Sequence, residues 1–248
     1  MTEASGTLES GGAAIAWRRV AGRGPAVLWL GGFRSEMSGT KAQALADWAA
    51  AAGRDFLRFD YFGHGVSCGA FEEGTITRWR ADALAVIDSL TEGPLVLVGS
   101  SMGGWLACLA ALARPARVKA LVLIAPAADF TERLLAPSLP AEGREAIEGD
   151  GVWRRPSLYD PAGYPISRAL LEDGARWSIL PGPVSITAPT RILQGGADPD
   201  VPWRHALELA TALESEDVVF TLIRDGDHRL SRESDLARLI AALEEVAE

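Results

Sequence analysis

The sequence has few cysteines and no long apolar run. Its only two cysteines, Cys68 and Cys108, are too few for a disulfide framework. The chain begins MTEASGTLESGG, which is acidic and polar, whereas a signal peptide begins with basic and then apolar residues. The richest apolar stretch, 120–128, is far shorter than the roughly 18 residues that a membrane span needs. We therefore expect a reduced, cytoplasmic compartment, no signal peptide and no membrane span.

An excess of basic residues is also absent. The chain carries 24 lysine and arginine residues against 33 acidic ones, a formal net charge of −9, and the basic residues are scattered. Nucleic acids and anionic membranes attract clustered positive charge, so neither is an expected partner. A small neutral or acyl-type substrate fits this composition better. The oligomeric state is not indicated.

The length and pattern favour one α/β domain over residues 1–248, because apolar strands alternate with helical segments and no linker interrupts them. Such alternation is typical of a mostly parallel central sheet flanked by helices on both faces. After an opening hairpin, the expected strands are 13–20, 26–30, 56–59, 95–98, 118–124, 190–194 and 218–223, and the expected helices include 40–52, 75–90 and one beginning near 202.

Segment 129–189 interrupts this alternation, since it is rich in proline and glycine and has no strand pattern. We interpret it as a lid inserted after the sixth strand, because loops this long are usually functional or disordered and its aromatic residues argue against disorder. An irregular surface connection is the alternative. The expected lid helices are 132–136, 141–148 and 166–172, and the expected anchoring aromatic residues are Trp153, Tyr159, Tyr164 and Trp177.

The most informative stretch is LVLVGSSMGGWLA, in which an apolar strand runs into a G-x-S-x-G elbow with Ser101 at its centre. A sharp turn of this kind exposes a serine hydroxyl to attack a carbonyl carbon, and its small neighbours Gly99, Gly103 and Gly104 allow the turn to close. The alternative is a glycine-rich phosphate-binding turn. That alternative is disfavoured because no P-loop lysine follows and the spacing is not G-x-G-x-x-G.

A nucleophilic serine needs a histidine base, and in this elbow arrangement the order along the chain is serine, acid, histidine. His228 follows the last expected strand, in the turn DGDHR, and therefore hangs from the same sheet edge as the elbow. His205 lies on an expected helix, where a half-exposed structural histidine is the better interpretation. His64 comes too early in the chain and has a minor role at most.

The acid should follow strand 190–194, where GGADPDVP offers Asp198 and Asp200. We favour Asp198, which comes first after the glycine pair, because Asp200 lies where the following helix would use an N-cap. Asp60 and Asp227 are competitors. Asp60, however, is expected to tie down its own turn, and Asp227 is the immediate neighbour of the histidine.

Attack on a carbonyl also requires donors for the oxygen that becomes negatively charged, and backbone N–H groups need no reorganisation. One donor is expected from Met102, directly after the nucleophile and at the start of a helix. The other is expected from Phe33, in the GGF loop that follows the second buried strand.

Motifs along nearly the whole chain carry a resemblance to a known family. They are LGGFRSEMSGTKA, RFDYFGHG, TRWRADALAVIDSL, LVGSSMGGWLA, GVWRRPSLY and the run from DPDVPWRHA to GDHRLS. On these residues the chain resembles serine hydrolases of the α/β-hydrolase superfamily. Within it, the chain is similar to the palmitoyl-protein thioesterases and acyl-glucuronide esterases of animal mitochondria, and it looks like a bacterial relative of them.

The resemblance implies an α/β-hydrolase fold and, position by position, a triad of Ser101, Asp198 and His228. It implies hydrolysis of thioester or oxygen-ester bonds through an acyl-serine intermediate, with no metal and no organic cofactor. The substrate would be a small molecule or an acylated protein. General carboxylesterase activity, carbon–carbon bond hydrolysis and a non-catalytic binding protein on the same fold remain alternatives.

The lid should supply the substrate contacts. Trp153 is expected to shape an apolar acyl pocket, while Arg154 and Arg155 are candidates to meet an acidic group such as a glucuronide carboxylate. Solvated arginines that only keep the lid soluble are an equal alternative.

Overall fold

The computed structural model describes residues 3–156 and 163–247 and contains an eight-stranded sheet in the order β1-β2-β4-β3-β5-β6-β9-β10. Strand β2 is antiparallel to both neighbours, and the other neighbouring pairs are parallel. The strands of this sheet are β1 (Glu3–Ser10), β2 (Ala13–Val20), β3 (Arg23–Leu30), β4 (Arg54–Phe59), β5 (Leu95–Ser100), β6 (Val118–Ile124), β9 (Thr190–Gly195) and β10 (Val218–Ile223).

Helices cover both faces of the sheet, which confirms the predicted architecture. The helices are α1 (Thr40–Ala52), α2 (Ile76–Leu90), α3 (Met102–Ala113), α4 (Ala136–Ser138), α5 (Ala141–Asp150), α6 (Arg168–Ala175), α7 (Trp203–Ala212) and α8 (Glu233–Glu244). Helices α1 and α8 pack in one apolar cluster, and α2, α3 and α7 pack in the other. Among the described residues, no helix combines the length and the apolar composition that crossing a membrane requires.

The central strands are apolar on both faces because helices cover both faces, and all six residues of β5 are buried. Strands β3, β5, β6, β9 and β10 run in the same direction, so their carboxyl ends meet at one edge of the sheet. The loops that follow these strands therefore come together. Ligands of open α/β sheets bind at this edge.

The segment between β6 and β9 corrects one prediction. It contains a π-helical turn (Thr131–Leu135), α4, α5 and α6, but also an antiparallel pair of strands, β7 (Val152–Arg155) and β8 (Tyr164–Ser167). The expectation of no strand here was wrong, and Ile166 lies in β8 instead of beginning a helix. Four-residue strands show too few alternations to be recognised, and their pairing depends on distant residues. The expected anchor Tyr159 lies outside the described residues.

A buried carboxylate joins the two ends of this segment. Asp129 follows β6 with a φ of 54°, and it is 1% exposed. Its carboxylate accepts hydrogen bonds from Ser178 Oγ and Leu180 N, both at 2.8 Å, and from Ile179 N at 3.0 Å. A buried charge with several donors is satisfied without a counter-ion. The segment therefore leaves and re-enters the sheet region at adjacent points.

The loop after β4 is fixed by Asp60 and contains a buried histidine. Asp60 accepts hydrogen bonds from Met37 N at 2.6 Å and Val66 N at 3.0 Å, as expected of a residue that ties down its turn. His64 is 3% exposed and has the Phe71 and Trp79 rings 4.9 and 5.2 Å away. Burial lowers the pKa of His64 to about 4, because the charged imidazolium would lose its hydration.

Adding a methyl group at two helical glycines, Gly103 and Gly149, should change the free energy of unfolding in opposite directions. A Cβ on Gly103 would overlap the carbonyl oxygens of Leu30 and Gly31, whereas a Cβ on Gly149 would have open space around it. We expect Gly103→Ala to lower the free energy of unfolding by roughly 3 kcal/mol or to prevent folding, because backbone atoms must move. We expect Gly149→Ala to raise it by about 0.5–1 kcal/mol. Urea unfolding of both variants measures the difference, and equal shifts would contradict the packing.

Protonation of His64 should destabilise the fold at acidic pH. Its pKa is about 4 when folded and 6.5 when free, so the unfolded chain binds the extra proton between these values and stability falls as pH falls from 6.5 to 4. The loss attributable to this group is roughly 3 kcal/mol. In His64→Leu the slope of unfolding free energy against pH should flatten in this window, as measured by denaturant titrations at stepped pH. Parallel slopes in the two proteins would contradict the assignment.

Candidate active site

Ser101 lies between the end of β5 and the start of α3, in a strained backbone conformation. Its φ is 55° and its ψ is −119°, in a region that residues with side chains rarely adopt. The turn can close because Gly99 has no side chain. A Cβ at this position would overlap the backbone of Gly103. The strain is held by neighbouring hydrogen bonds. Ser101 N donates to Ile124 O at 2.8 Å, and Ser101 O accepts from Ala127 N at 3.0 Å.

The structure brings the three residues of the expected triad together. His228 Nε2 lies 3.1 Å from Ser101 Oγ, and His228 Nδ1 lies 2.8 Å from Asp198 Oδ2. Because a carboxylate only accepts, Nδ1 donates to Asp198 and Nε2 is left to accept from the serine hydroxyl. The side chain of Asp198 is fully buried, and that of His228 is 24% exposed. The imidazole ring is therefore partly exposed to solvent, whereas its carboxylate partner is not.

Asp198 is held by donors on both of its oxygens. Oδ1 accepts from Asp200 N and Val201 N, each at 2.9 Å, while Oδ2 also accepts from Gln194 Nε2 at 3.2 Å. Sequence reasoning missed Gln194. The signal was available, because Gln194 is a polar residue in an otherwise apolar, buried strand end.

Asp200 does not have the capping role expected of it. Helix α7 has Pro202 as its N-cap and no side-chain cap, and Asp200 Oδ1 instead lies 3.5 Å from Arg155 Nη2. In this turn the capping acceptor is Asp198. Its carboxylate accepts hydrogen bonds from the backbone N–H groups of Asp200 and Val201. One carboxylate therefore both shapes its loop and orients the histidine.

The histidine loop, 225–231, is packed tightly on the end of β9. A Cβ on Gly195 would overlap the carbonyl oxygens of Gly226 and Asp227, so the glycine permits this approach. Within the loop, Asp227 Oδ1 accepts from Leu230 N at 3.0 Å. From outside, Lys41 Nζ of α1 donates to the carbonyl of Arg229. These three contacts together hold the histidine loop in place.

The expected oxyanion donors are the N–H groups of Phe33, in the loop after β3, and of Met102, the first residue of α3. A Cβ on Gly32 would lie 3.3 Å from Ser101 Cβ, so the loop after β3 passes directly against the nucleophile. Within the described residues, the N–H groups of Phe33 and Met102 donate to no other residue. Both are therefore available to an anionic oxygen formed at this point.

Ser101, His228 and Phe33 line a cavity of about 730 Å³. One side, which we call the apolar wall, is formed by Phe33, Ala127, Phe130, Leu134, Leu135, Tyr164 and Ile166. A second part of the lining, which we call the polar wall, is formed by Trp29, residues 34–36 and 38–42, and Asp227, His228, Arg229 and Ser231 of the histidine loop. The apolar wall takes most of its residues from segment 129–189.

The cavity corrects the expected substrate contacts. Of the described residues, those on its surface include Arg155 but neither Trp153 nor Arg154. Trp153 lies against Gly143 of α5, and Arg154 forms an exposed ion pair with Glu72. Successive residues of a strand point to opposite faces, so a substrate contact at Arg155 excludes one at Arg154.

The other two histidines do not line the cavity. His64 is buried among aromatic rings, as described above. His205 is buried on α7, not half-exposed as expected, with Nε2 2.7 Å from Ala128 O, and burial lowers its pKa. Both are structural.

Among the described residues, one group has the ligand types of a metal site. The ligand atoms of Asp198, Asp200 and His228 lie within 4.8 Å of one another. His228 Nδ1 and Asp198 Oδ2 are bonded to each other, and Asp198 Oδ1 is occupied by two backbone donors. The arrangement orients an imidazole, since the atoms that would ligate a metal are already engaged.

Comparison with known proteins agrees with this geometry. The family model "Serine aminopeptidase, S33" of hydrolases matches residues 25–146. The mouse mitochondrial palmitoyl-protein thioesterase ABHD10 is 39% identical over 94% of this chain and 78% of its own length. The solved structure of alpha/beta hydrolase domain-containing protein 10 from mouse matches with a TM-score of 0.89 at 37% identity, covering 98% of this chain and 97% of that one.

A putative hydrolase from Agrobacterium vitis S4 is similar over the whole molecule. Its crystal structure matches with a TM-score of 0.94 at 44% identity and covers 100% of this chain and 99% of its own. Identity at this level over nearly the full length of both chains shows common family membership, and it agrees with the sequence-derived resemblance. The chain therefore belongs to the α/β-hydrolase family, in the group that includes ABHD10, and is a hydrolase of ester bonds.

Proposed function

We propose that this protein hydrolyses acyl thioesters and oxygen esters, with Ser101 as the nucleophile, His228 as the base and Asp198 as the orienting acid. The observation that carries the proposal is the continuous line of hydrogen bonds from Asp198 through His228 to Ser101 Oγ, which opens onto a cavity. A serine hydroxyl becomes nucleophilic when a neighbouring base takes its proton, and this line provides such a base.

The proposed reaction has two halves. In the first, Ser101 Oγ attacks the carbonyl carbon while its proton passes to His228 Nε2, and the imidazolium then protonates the departing thiol or alcohol. In the second, water gives its proton to His228 and attacks the acyl-serine, which releases the carboxylic acid and restores the hydroxyl. Asp198 stabilises the imidazolium in both halves and stays ionised.

The negative oxygen of each tetrahedral intermediate would be held by the N–H groups of Phe33 and Met102. Met102 is the first residue of α3, so the positive end of the helix dipole adds to its donor. Phe33 is fixed by its ring, which lies 4.8 Å from the ring of Phe71 and 5.8 Å from that of Phe130. Donors held in place before the reaction stabilise the developing charge without reorganisation.

An acyl chain is the proposed occupant of the apolar wall. Aliphatic and aromatic side chains along that wall bury methylene groups at about 0.8 kcal/mol each, which favours medium and long chains over acetyl. The relative ABHD10 is named as a palmitoyl-protein thioesterase, which points in the same direction. The carrier of the acyl group is a small molecule or a protein.

We also propose that residues 129–189 act as a lid within a single domain. This segment provides Phe130, Leu134 and Tyr164 to the cavity, and Asp129 joins its two ends. A covering segment of this kind would shield the bound acyl chain from solvent.

A reducing, cytoplasmic location is a further proposal. Both cysteines are free, Cys68 exposed and Cys108 buried. The ABHD10 relatives are named as mitochondrial, so cell fractionation with an antibody against the native protein would test the assignment.

Replacing the nucleophile should abolish turnover. We expect Ser101→Ala and His228→Ala to lower kcat on p-nitrophenyl octanoate by on the order of 10³-fold or more, because the nucleophile or its base is lost. Ser215→Ala, at a half-buried serine that does not line the cavity, is the matched control and should retain full activity. Steady-state rates measure the effect on a series of acyl lengths and on a palmitoyl-thioester probe.

The same assay separates the alternatives. Preference for the long-chain thioester supports a depalmitoylating activity, and preference for short oxygen esters would instead indicate a general carboxylesterase. Absence of turnover together with absence of Ser101 labelling by a fluorophosphonate would overturn the proposal in favour of a binding protein.

A further inference from the structure

The polar wall of the cavity contains the uncapped start of a long helix. Helix α1 begins at Thr40 after the N-cap Gly39, which has no side chain to cap it. The first helical hydrogen bond runs from Gln43 N to Gly39 O, so the N–H groups of Thr40, Lys41 and Ala42 precede the helical ladder. All three residues line the cavity. Such N–H groups, with the positive end of the helix dipole, bind anionic oxygens.

A second observation on the same wall also calls for an acceptor. Trp29 lines the cavity and is 3% exposed, and within the described residues its indole Nε1–H has no hydrogen-bond partner. A Cβ on Gly31 would lie 3.7 Å from both this nitrogen and Ser35 Cβ, so the indole edge faces the turn that borders the cavity. A buried donor without a partner is costly, and an oxygen ligand would satisfy it.

Lys41 adds a positive charge to this wall. One N–H of its ammonium donates to the carbonyl of Arg229, and an ammonium has two further donors. Burial lowers the pKa of Lys41 to about 8, and the nearby charge of Arg229 lowers it further, against the opposing charges of Asp227 and Asp235. A lysine is therefore held at the cavity surface close to a second cation.

The acidic side chains of the cavity already have partners. Glu36 Oε2 accepts from Ser38 Oγ at 3.1 Å, and Asp227 Oδ1 accepts from Leu230 N. Asp200 is paired with Arg155. Within the described residues, none of these carboxylates accepts a hydrogen bond from the N–H groups at the start of α1.

We propose that the start of α1, Lys41 and the Trp29 indole form a binding site for a phosphate group on the leaving group of the substrate. This inference rests on the proposed hydrolase function. Because the apolar wall takes the acyl chain, the polar wall is assigned to the leaving group. Phosphate presents several anionic oxygens, which matches a site that has backbone, ammonium and indole donors.

The position of the site limits the leaving group to a short one. A Cβ on Gly32 would lie 3.3 Å from both Ser101 Cβ and Ser35 Oγ, so a single glycine separates the nucleophile from the border of the site. A phosphate a few bonds from the ester, as in an acyl ester of glycerol phosphate, fits this spacing. Water would cleave the acyl carbon–oxygen bond, releasing the carboxylic acid and the intact phosphorylated alcohol.

The test compares three esters that differ in the leaving group: monooctanoyl glycerol phosphate, monooctanoyl glycerate and neutral monooctanoyl glycerol. We expect the phosphate ester to have a kcat/KM about tenfold above that of the neutral ester, as for a charge-assisted contact. Lys41→Met should bring this ratio near one, and Trp29→Phe should lower it about threefold. Lys119→Met, which changes the only other lysine in the chain, is the control and should leave the ratio unchanged.

A binding measurement keeps the site and the reaction separate. Phosphorus NMR of inorganic phosphate should show line broadening with Ser101→Ala that is lost in Ser101→Ala/Lys41→Met. If phosphate binds in this way but no ester is hydrolysed, the anion site stands and the proposed hydrolase function fails. Hydrolysis of all three esters at equal kcat/KM would overturn the phosphate site. A Lys41-dependent preference for the glycerate ester over the phosphate ester would overturn the assignment to phosphate.

Discussion

The close backbone approach at Gly103 is the constraint on which the site depends. A side chain at this position would overlap the carbonyl oxygens of Leu30 and Gly31, so α3 can pack directly against the end of β3. The approach places the start of α3, which directly follows Ser101, beside the loop after β3 that contains Phe33. One glycine contact therefore sets the nucleophile and both proposed oxyanion donors relative to each other.

The acid and the histidine are positioned by a second set of contacts, at the ends of β9 and β10. Asp198 shapes its own turn through two backbone donors, receives a third from Gln194 and still orients His228. Because Gly195 has no side chain, the histidine loop packs directly on the end of β9, next to the loop that carries Asp198. Burial of the carboxylate then strengthens its interaction with the imidazole, since water does not screen it.

The two walls of the cavity divide the substrate between different chemistries. The apolar wall, built mostly by segment 129–189, suits a chain of methylene groups. The polar wall, built by the start of α1 and the histidine loop, suits an anionic or hydrogen-bonding leaving group. Ser101 and His228 line the same cavity, so the scissile carbonyl would be held where apolar and polar surroundings meet. Substrate choice on this fold then follows from loops that the sheet itself does not determine.

Local patterns in the sequence were sufficient for the strands, the helices and the elbow, because strand and helix periodicity and the glycines around Ser101 are properties of neighbouring residues. The order of serine, acid and histidine then pointed to Asp198 and His228. The β7–β8 pair, the role of Gln194, the choice of Arg155 over Arg154 at the cavity and the polar wall were decided only by the tertiary structure. Each depends on which face of a strand is turned inward, or on loops far apart in the chain that meet at one sheet edge, and no local pattern specifies either.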